Sequence, residues 1–161
     1  MESSLVFIKP GNKHLAIEII EFLEDKLKCS GKFGRCRYID IPHVPREIIE
    51  EHYKHILENK DIPEETKRAT IQPFLEQGVI LAVYAGENIA ERIRNIVGET
   101  DPQKAGEDTI RGVFSSDSLK KASQEKRYLN NVIHASAPSL ENREALAEIR
   151  LWSDFLYDSE F

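Results

Sequence analysis

Val79-Ile80-Leu81-Ala82-Val83-Tyr84-Ala85 is apolar from end to end and follows Gly78 directly. A run of this length and composition reads as a strand buried within a sheet. Two segments before it also have strand character. Ser4 to Ile8 is short and apolar, and Lys9-Pro10-Gly11-Asn12 stops it. Phe33 to Ile41 alternates, with Phe33, Cys36, Tyr38 and Ile39 among its apolar residues, and Pro42 and Pro45 close it. Between these two, Lys13 to Leu27 carries Leu15, Ile17, Ile19, Ile20, Phe22, Leu23 and Leu27 at helical spacing, ahead of a Ser30-Gly31 turn. Arg46 to Leu57 reads as a helix. After the polar stretch Glu58 to Thr66, Pro63 opens another helix, which Gly78 ends. Beyond the buried run, Asn88 to Val97 is helical. A long polar segment follows, from Gly98 to about Lys126, with Pro102, Gly106 and Gly112 inside it. Its length is unusual for an idle connection. Asn131 to His134 is the last strand. Ser139 to Trp152 is a closing helix, with Ser139 as its N-cap and Glu141 and Glu144 near its positive end.

The order strand, helix, strand, helices, strand, helix, loop, strand, helix contains the βαββαβ pattern. It predicts an α+β, ferredoxin-like sandwich: an antiparallel four-stranded sheet with helices packed on one face. With 161 residues, neither repeats nor a linker, residues 1–161 are expected to form one domain. A formal net charge of -6 argues against nucleic-acid binding, which needs a basic face, but leaves room for a local anion pocket. No run approaches the roughly 20 apolar residues of a membrane span, so no membrane partner is expected. The opening Met1-Glu2-Ser3-Ser4-Leu5 lacks the basic-then-apolar pattern of a signal peptide. Cys29 and Cys36 fit neither a metal nor a redox spacing, and read as reduced core or edge thiols of a cytoplasmic protein.

Chemistry concentrates at Asn131-Val132-Ile133-His134-Ala135-Ser136. This places a histidine at the end of an apolar strand, next to two small residues. A neutral imidazole is a good nucleophile near pH 7. Lys9 follows the first strand directly, Arg94 lies on the helix before Gly98-Glu99-Thr100, and Arg111 sits in Thr109-Ile110-Arg111-Gly112. Brought together with a threonine hydroxyl, these would bind an anion, because guanidinium forks suit phosphate oxygens and lysine adds a point charge. Taken singly, each is the kind of charge any surface carries. His52 and His55 are three apart, but no HExxH-type pattern supports a metal site. His14, His43, His52 and His55 read as surface residues.

These pieces, in this order, resemble nucleoside diphosphate kinase over nearly the whole chain: Lys9-Pro10, His52-Tyr53, Arg94 before Gly98-Glu99-Thr100, Thr109-Ile110-Arg111-Gly112, Asn131 to Ser136, and Glu148-Ile149 with Trp152. The resemblance implies transfer of the γ-phosphoryl group from ATP or another nucleoside triphosphate to a nucleoside diphosphate, by a ping-pong route through a phosphohistidine. It implies His134 as nucleophile, Glu148 as the carboxylate that orients the ring, and Ser136 as a supporting hydroxyl. Lys9, Tyr53, Arg94, Thr100, Arg111 and Asn131 match residues that bind phosphates and sugar. Mg²⁺ would arrive on the nucleotide phosphates rather than in a protein cage. The segment between Gly98 and Arg111 would fold over the nucleotide, and a homo-oligomer, hexamer or tetramer, is expected.

The chain departs from the family pattern in several places. Gly11 and Asn12 stand where an aspartate and a glycine are usual, Val113 replaces the aspartate after the TIRG motif, and Ala137 replaces the one after His-x-Ser. The aromatic pair that stacks the base has no counterpart in Asn59-Lys60-Asp61-Ile62-Pro63-Glu64-Glu65, and Phe74 lies closer to Gly78 than a stacking residue should. Insertions fall at Pro138 and around Asp117 to Arg127. An active kinase is the leading reading. The alternatives are a nucleotide-binding or scaffold domain without efficient transfer, and a small regulatory module of the same fold.

Overall fold

The computed structural model describes residues 1–157. Its strands are β1 (Glu2–Ile8), β2 (Gly34–Ile41), β3 (Val79–Gly86) and β4 (Ile133–Ala135). They form one antiparallel sheet in the order β2-β3-β1-β4, the arrangement expected of a ferredoxin-like sandwich. The helices are α1 (Ala16–Ser30), α2 (Arg46–His52), α3 (Lys54–Leu57), α4 (Glu64–Gln77), α5 (Ile89–Val97), α6 (Ile110–Phe114), α7 (Leu119–Gln124), α8 (Arg143–Leu151) and α9 (Ser153–Tyr157).

Helices cover both faces of the sheet, not one. Alternation along β1 explains this. Val6 and Ile8 pack with α1 and α5 through Ile19, Leu23, Ile89 and Ile93. Leu5 and Phe7 pack on the other side with α2, α4 and the junction of α8 and α9 through Ile49, Phe74 and Trp152. The two central strands are therefore buried on both sides, which is why β1 and β3 read as continuous apolar runs. Edge strand β2 is exposed along most of its length, and its register shifts at a bulge between Arg35 and Arg37. Cys29 and Cys36 are both exposed and free of a disulfide, so neither is a core thiol, and Cys36 lies on the edge strand β2.

Three local readings change. The helix expected from Arg46 to Leu57 breaks at Tyr53, which separates α2 from α3. The long polar segment is not a plain loop, since it contains α6 and α7. The closing helix starts later, at Arg143, after a 3-10 turn. Ser139 still serves its start, its Oγ accepting from Glu144 N at 2.9 Å.

Candidate active site

The last strand is very short because the chain turns sharply just before it. Ile133 N donates to Asn131 O at 2.8 Å, and Val132 is held at φ 64. A β-branched residue in the left-handed region is strained by about 1–3 kcal/mol. The surroundings impose it: Lys9 N donates to Val132 O at 2.9 Å, and Arg111 reaches the carbonyls on either side, Asn131 O at 3.4 Å and Ile133 O at 2.8 Å. The turn sets Asn131 beside Lys9 and starts the strand that carries His134.

The Thr109-Ile110-Arg111-Gly112 motif is legible atom by atom. Thr109 Oγ1 accepts from Gly112 N at 3.2 Å and caps α6. Ile110 is fully buried. Gly112 has no room for a side chain, since a Cβ there would lie 2.0 Å from Gly106 O. Arg111 is thereby aimed inward, only 4% exposed, with a third bond to Gly98 O at 3.2 Å. Burial first, and Arg94 second, bring its pKa down to about 10.

The cations converge. Lys9 is 7% exposed, and its Nζ donates to Asn131 Oδ1 at 2.5 Å. Burial and the nearby Arg111 charge hold its pKa well below the usual lysine value. Arg94 donates to Ala135 O at 2.9 Å, next to the histidine. Asn131 Nδ2 donates to Thr100 O at 2.9 Å, so the backbone of Thr100 is at the cluster while the residue itself is exposed. Tyr53 is buried, with its hydroxyl 3.4 Å from that of Tyr128 and its pKa pushed up by burial.

His134 sits at the head of this cluster. Its Nε2 lies 2.5 Å from Glu148 Oε2. A carboxylate only accepts, so the proton belongs on Nε2 and the lone pair on Nδ1. The ring stacks on Phe7 with centroids 4.7 Å apart and meets His52 edge-on at 4.6 Å. Burial, then the charges of Lys9, Arg111 and Arg94, hold its pKa well below the usual histidine value. Burial raises that of Glu148. Ser136 is fully buried. Its Oγ donates to Leu5 O and accepts from Leu5 N, both at 3.1 Å, which locks the segment that carries His134 to β1.

Two residues here were not foreseen as part of the site. His52 is not a surface residue: its side chain is 3% exposed, it accepts from Trp152 Nε1 at 3.2 Å, and its Nδ1 lies 3.5 Å from Glu148 Oε2. Burial and the neighbouring His134 bring its pKa down to about 3, so it is neutral. Tyr128 lies with its ring face 4.9 Å from Lys9 Nζ. The signal available for His52 was its place in the His52-Tyr53 piece of the resemblance, since helical spacing alone does not show its burial, and Tyr128 stands in a polar stretch without periodicity. Phe74 is 0% exposed and packs on Phe7 and Tyr53, so it offers no free face to a base.

The family model described as nucleoside diphosphate kinase matches residues 2–155. The chain belongs to the nucleoside diphosphate kinase family. It is 30% identical to the nucleoside diphosphate kinase of Encephalitozoon cuniculi over 154 residues, covering 94% of this chain and 88% of that protein. It is 32% identical to that of Streptococcus pneumoniae over 155 residues, covering 94% and 99%. A crystal structure of the Encephalitozoon cuniculi kinase in its apo form shares the fold with a TM-score of 0.70 at 28% identity, covering 98% of this chain and 97% of that one. Membership makes the chain a phosphotransferase acting on nucleoside di- and triphosphates. Among the described residues no helix is long and apolar enough to cross a membrane.

Proposed function

We propose that the chain moves the γ-phosphoryl group of ATP, or another nucleoside triphosphate, to a nucleoside diphosphate through a phosphohistidine at His134 Nδ1. The observation that carries this is the His134–Glu148 pair at 2.5 Å, seated beside Lys9, Arg94 and Arg111. Nδ1 attacks phosphorus in line while the bond to the bridging oxygen breaks, and the diphosphate leaves with that electron pair. The ring becomes cationic as the N–P bond forms, and Glu148 compensates the charge through Nε2–H. The reverse step, with a different diphosphate, restores the neutral ring. Lys9, Arg94 and Arg111 neutralise the phosphate oxygens. Tyr53, Thr100 and Asn131 complete the phosphate and sugar contacts, and Ser136 fixes the segment that carries the nucleophile. Phosphoryl transfer asks for little beyond such positioning and charge.

Mg²⁺ enters with the nucleotide in this reading. The donor set His52, His134 and Glu148 falls within 4.8 Å, but it holds a single carboxylate, already committed to His134. Mg²⁺ prefers oxygen ligands in an octahedron, which phosphate oxygens and water supply. When bound it neutralises and orients the phosphates. A binding domain without transfer would not need a low-pKa imidazole paired with a carboxylate, so that alternative gains no support.

The exposed edge of β2, and Ile17 on α1 at 70% exposure, fit a symmetric homo-oligomer, hexamer or tetramer, built across that edge. Exposed free thiols fit a reducing, cytoplasmic setting. Residues 1–161 are read as a single catalytic domain. The deciding experiment incubates the wild type and His134→Ala with γ-labelled ATP and Mg²⁺, then chases with GDP. Acid-labile label on the wild type alone, chased into GTP, is expected. Nucleotide binding without label on the wild type would overturn the reading.

A further inference from the structure

Lys9 is a buried ammonium with an incomplete shell. Among the described residues no carboxylate pairs with it, and its side-chain hydrogen bond goes to Asn131. Arg111 nearby repels it. A flexible four-carbon chain in that position needs something to hold its head group. The structure supplies the face of Tyr128, 4.9 Å from Nζ.

Tyr128 is itself placed with care. Arg127, the residue before it, forms a forked ion pair with Asp117: Nη1 to Oδ2 at 2.7 Å and Nη2 to Oδ1 at 2.8 Å. The same carboxylate accepts from Ser118 N at 2.8 Å, at the start of the insertion, and from Asn130 N at 2.9 Å, just beyond its end. The Tyr128 ring then packs edge-on against Phe74 at 5.9 Å, and its hydroxyl meets that of Tyr53 at 3.4 Å. The inserted segment from Asp117 to Arg127 is thus a brace that presents one aromatic ring to the anion site.

We propose that Tyr128 is a positioning residue for phosphoryl transfer, its ring face seating the Lys9 ammonium against Asn131 so that the unused N–H donors face the phosphates. This rests on the reading of Lys9 as a phosphate ligand. Tyr128→Phe keeps the ring and removes the hydroxyl; Tyr128→Leu keeps apolar bulk and removes the π face.

The test measures the rate of His134 phosphorylation at saturating ATP and Mg²⁺, with thermal unfolding of each variant alongside. Phe is expected to match the wild type within about twofold, and Leu to slow phosphorylation about 3- to 30-fold, as loss of a cation–π contact predicts. Leu at the wild-type rate, Leu faster than wild type (a ring that merely blocks the site), or Phe as slow as Leu would each overturn the proposal. If Leu unfolds, 3,4,5-trifluorophenylalanine at position 128 keeps the ring's shape and drains its face of charge. The same slowing is then expected, and an unchanged rate overturns the idea. Lys9→Met is run in parallel. If the wild type phosphorylates and Lys9→Met does so equally fast, the reading of Lys9 has failed; if Lys9→Met is slow and Tyr128→Leu is not, only the role of Tyr128 has failed.

Discussion

Glu148→Gln isolates the charge of one atom pair. Glutamine fills the same volume, and its amide oxygen can still accept from His134 Nε2, so the ring stays oriented on Phe7. What disappears is the negative charge facing a ring that turns cationic as phosphorus arrives. Two full charges about 4 Å apart at an effective dielectric of 20 interact by about 4 kcal/mol. Roughly half of the charge develops at the transition state, which brings the loss to about 2 kcal/mol, or roughly 30-fold in the phosphorylation rate. Trp152 is the single tryptophan of the chain and donates to His52 beside the reacting ring. Its fluorescence should report phosphorylation in a stopped-flow experiment, with acid-labile label as the check. Thermal stability should hold or rise, because the variant no longer buries a carboxylate. A rate within twofold of wild type would refute the compensating role of Glu148. An equal loss of rate and stability would make it a packing residue instead.

The depressed His134 pKa keeps its imidazole neutral below the usual range, so the phosphorylation rate should stay flat from pH 8 to below 6.5 and fall only at more acid pH. A fall centred near 6.5 would contradict that burial and those charges. Phe74→Ala should cost about 3–5 kcal/mol in urea unfolding, as for a fully buried aromatic. A cost under 1 kcal/mol with a large rise in nucleotide KM would place Phe74 at the base after all. The Arg127 hydrogen bonds hold the Asp117 carboxyl well below the usual carboxylate range. A folded-state pKa below the unfolded one of about 3.9 gives stability that is present above it and lost as pH falls. The Tm gap between wild type and Asp117→Asn should therefore be widest near pH 7 and shrink below about pH 5. A gap that stays constant down to pH 3 would refute the pairing.

The strands were legible because β3 and the Leu5 to Ile8 part of β1 are buried on both faces and are apolar along their length. The same runs say nothing about which helix covers which face, so the expectation of a one-sided sheet failed. The helical stripes of α1 and α5 show that each helix buries one side, not against which side of the sheet. The five-residue α6 is too short for any period. It exists through the Thr109 cap and the close approach of Gly112 to Gly106, both of which are contacts in space. His52 looked like solvent-facing polarity because its partners, Trp152 and His134, lie far along the chain. Tyr128 depends on an ion pair ten residues long, between two charges in a stretch where charges are common. The cluster of Lys9, Arg94, Arg111 and His134 was readable only as an ordered set of motifs, since the turn that gathers them is held by backbone carbonyls rather than by a residue type.

Those carbonyls are the key to how the site coexists with a stable fold. Lys9 and Arg111 are buried, and with Arg94 they crowd one end of the sheet. Buried charge without a counterion is costly, and a nearby carboxylate would be the ordinary remedy. Acidic residues outnumber basic ones in this chain, 28 to 22, yet the carboxylate within reach, Glu148, is turned toward His134. The guanidiniums are met instead by Gly98 O, Asn131 O, Ile133 O and Ala135 O, and the ammonium by Asn131 and the Tyr128 face. Such partners supply partial charges, enough to keep the cations in place and too little to neutralise them. A full counter-charge would make the empty protein more stable and the anion site weaker by the same interaction. On the proposed reading, the fold leaves the counter-charge to the substrate, and the phosphates of a nucleotide would be the anion that completes the structure.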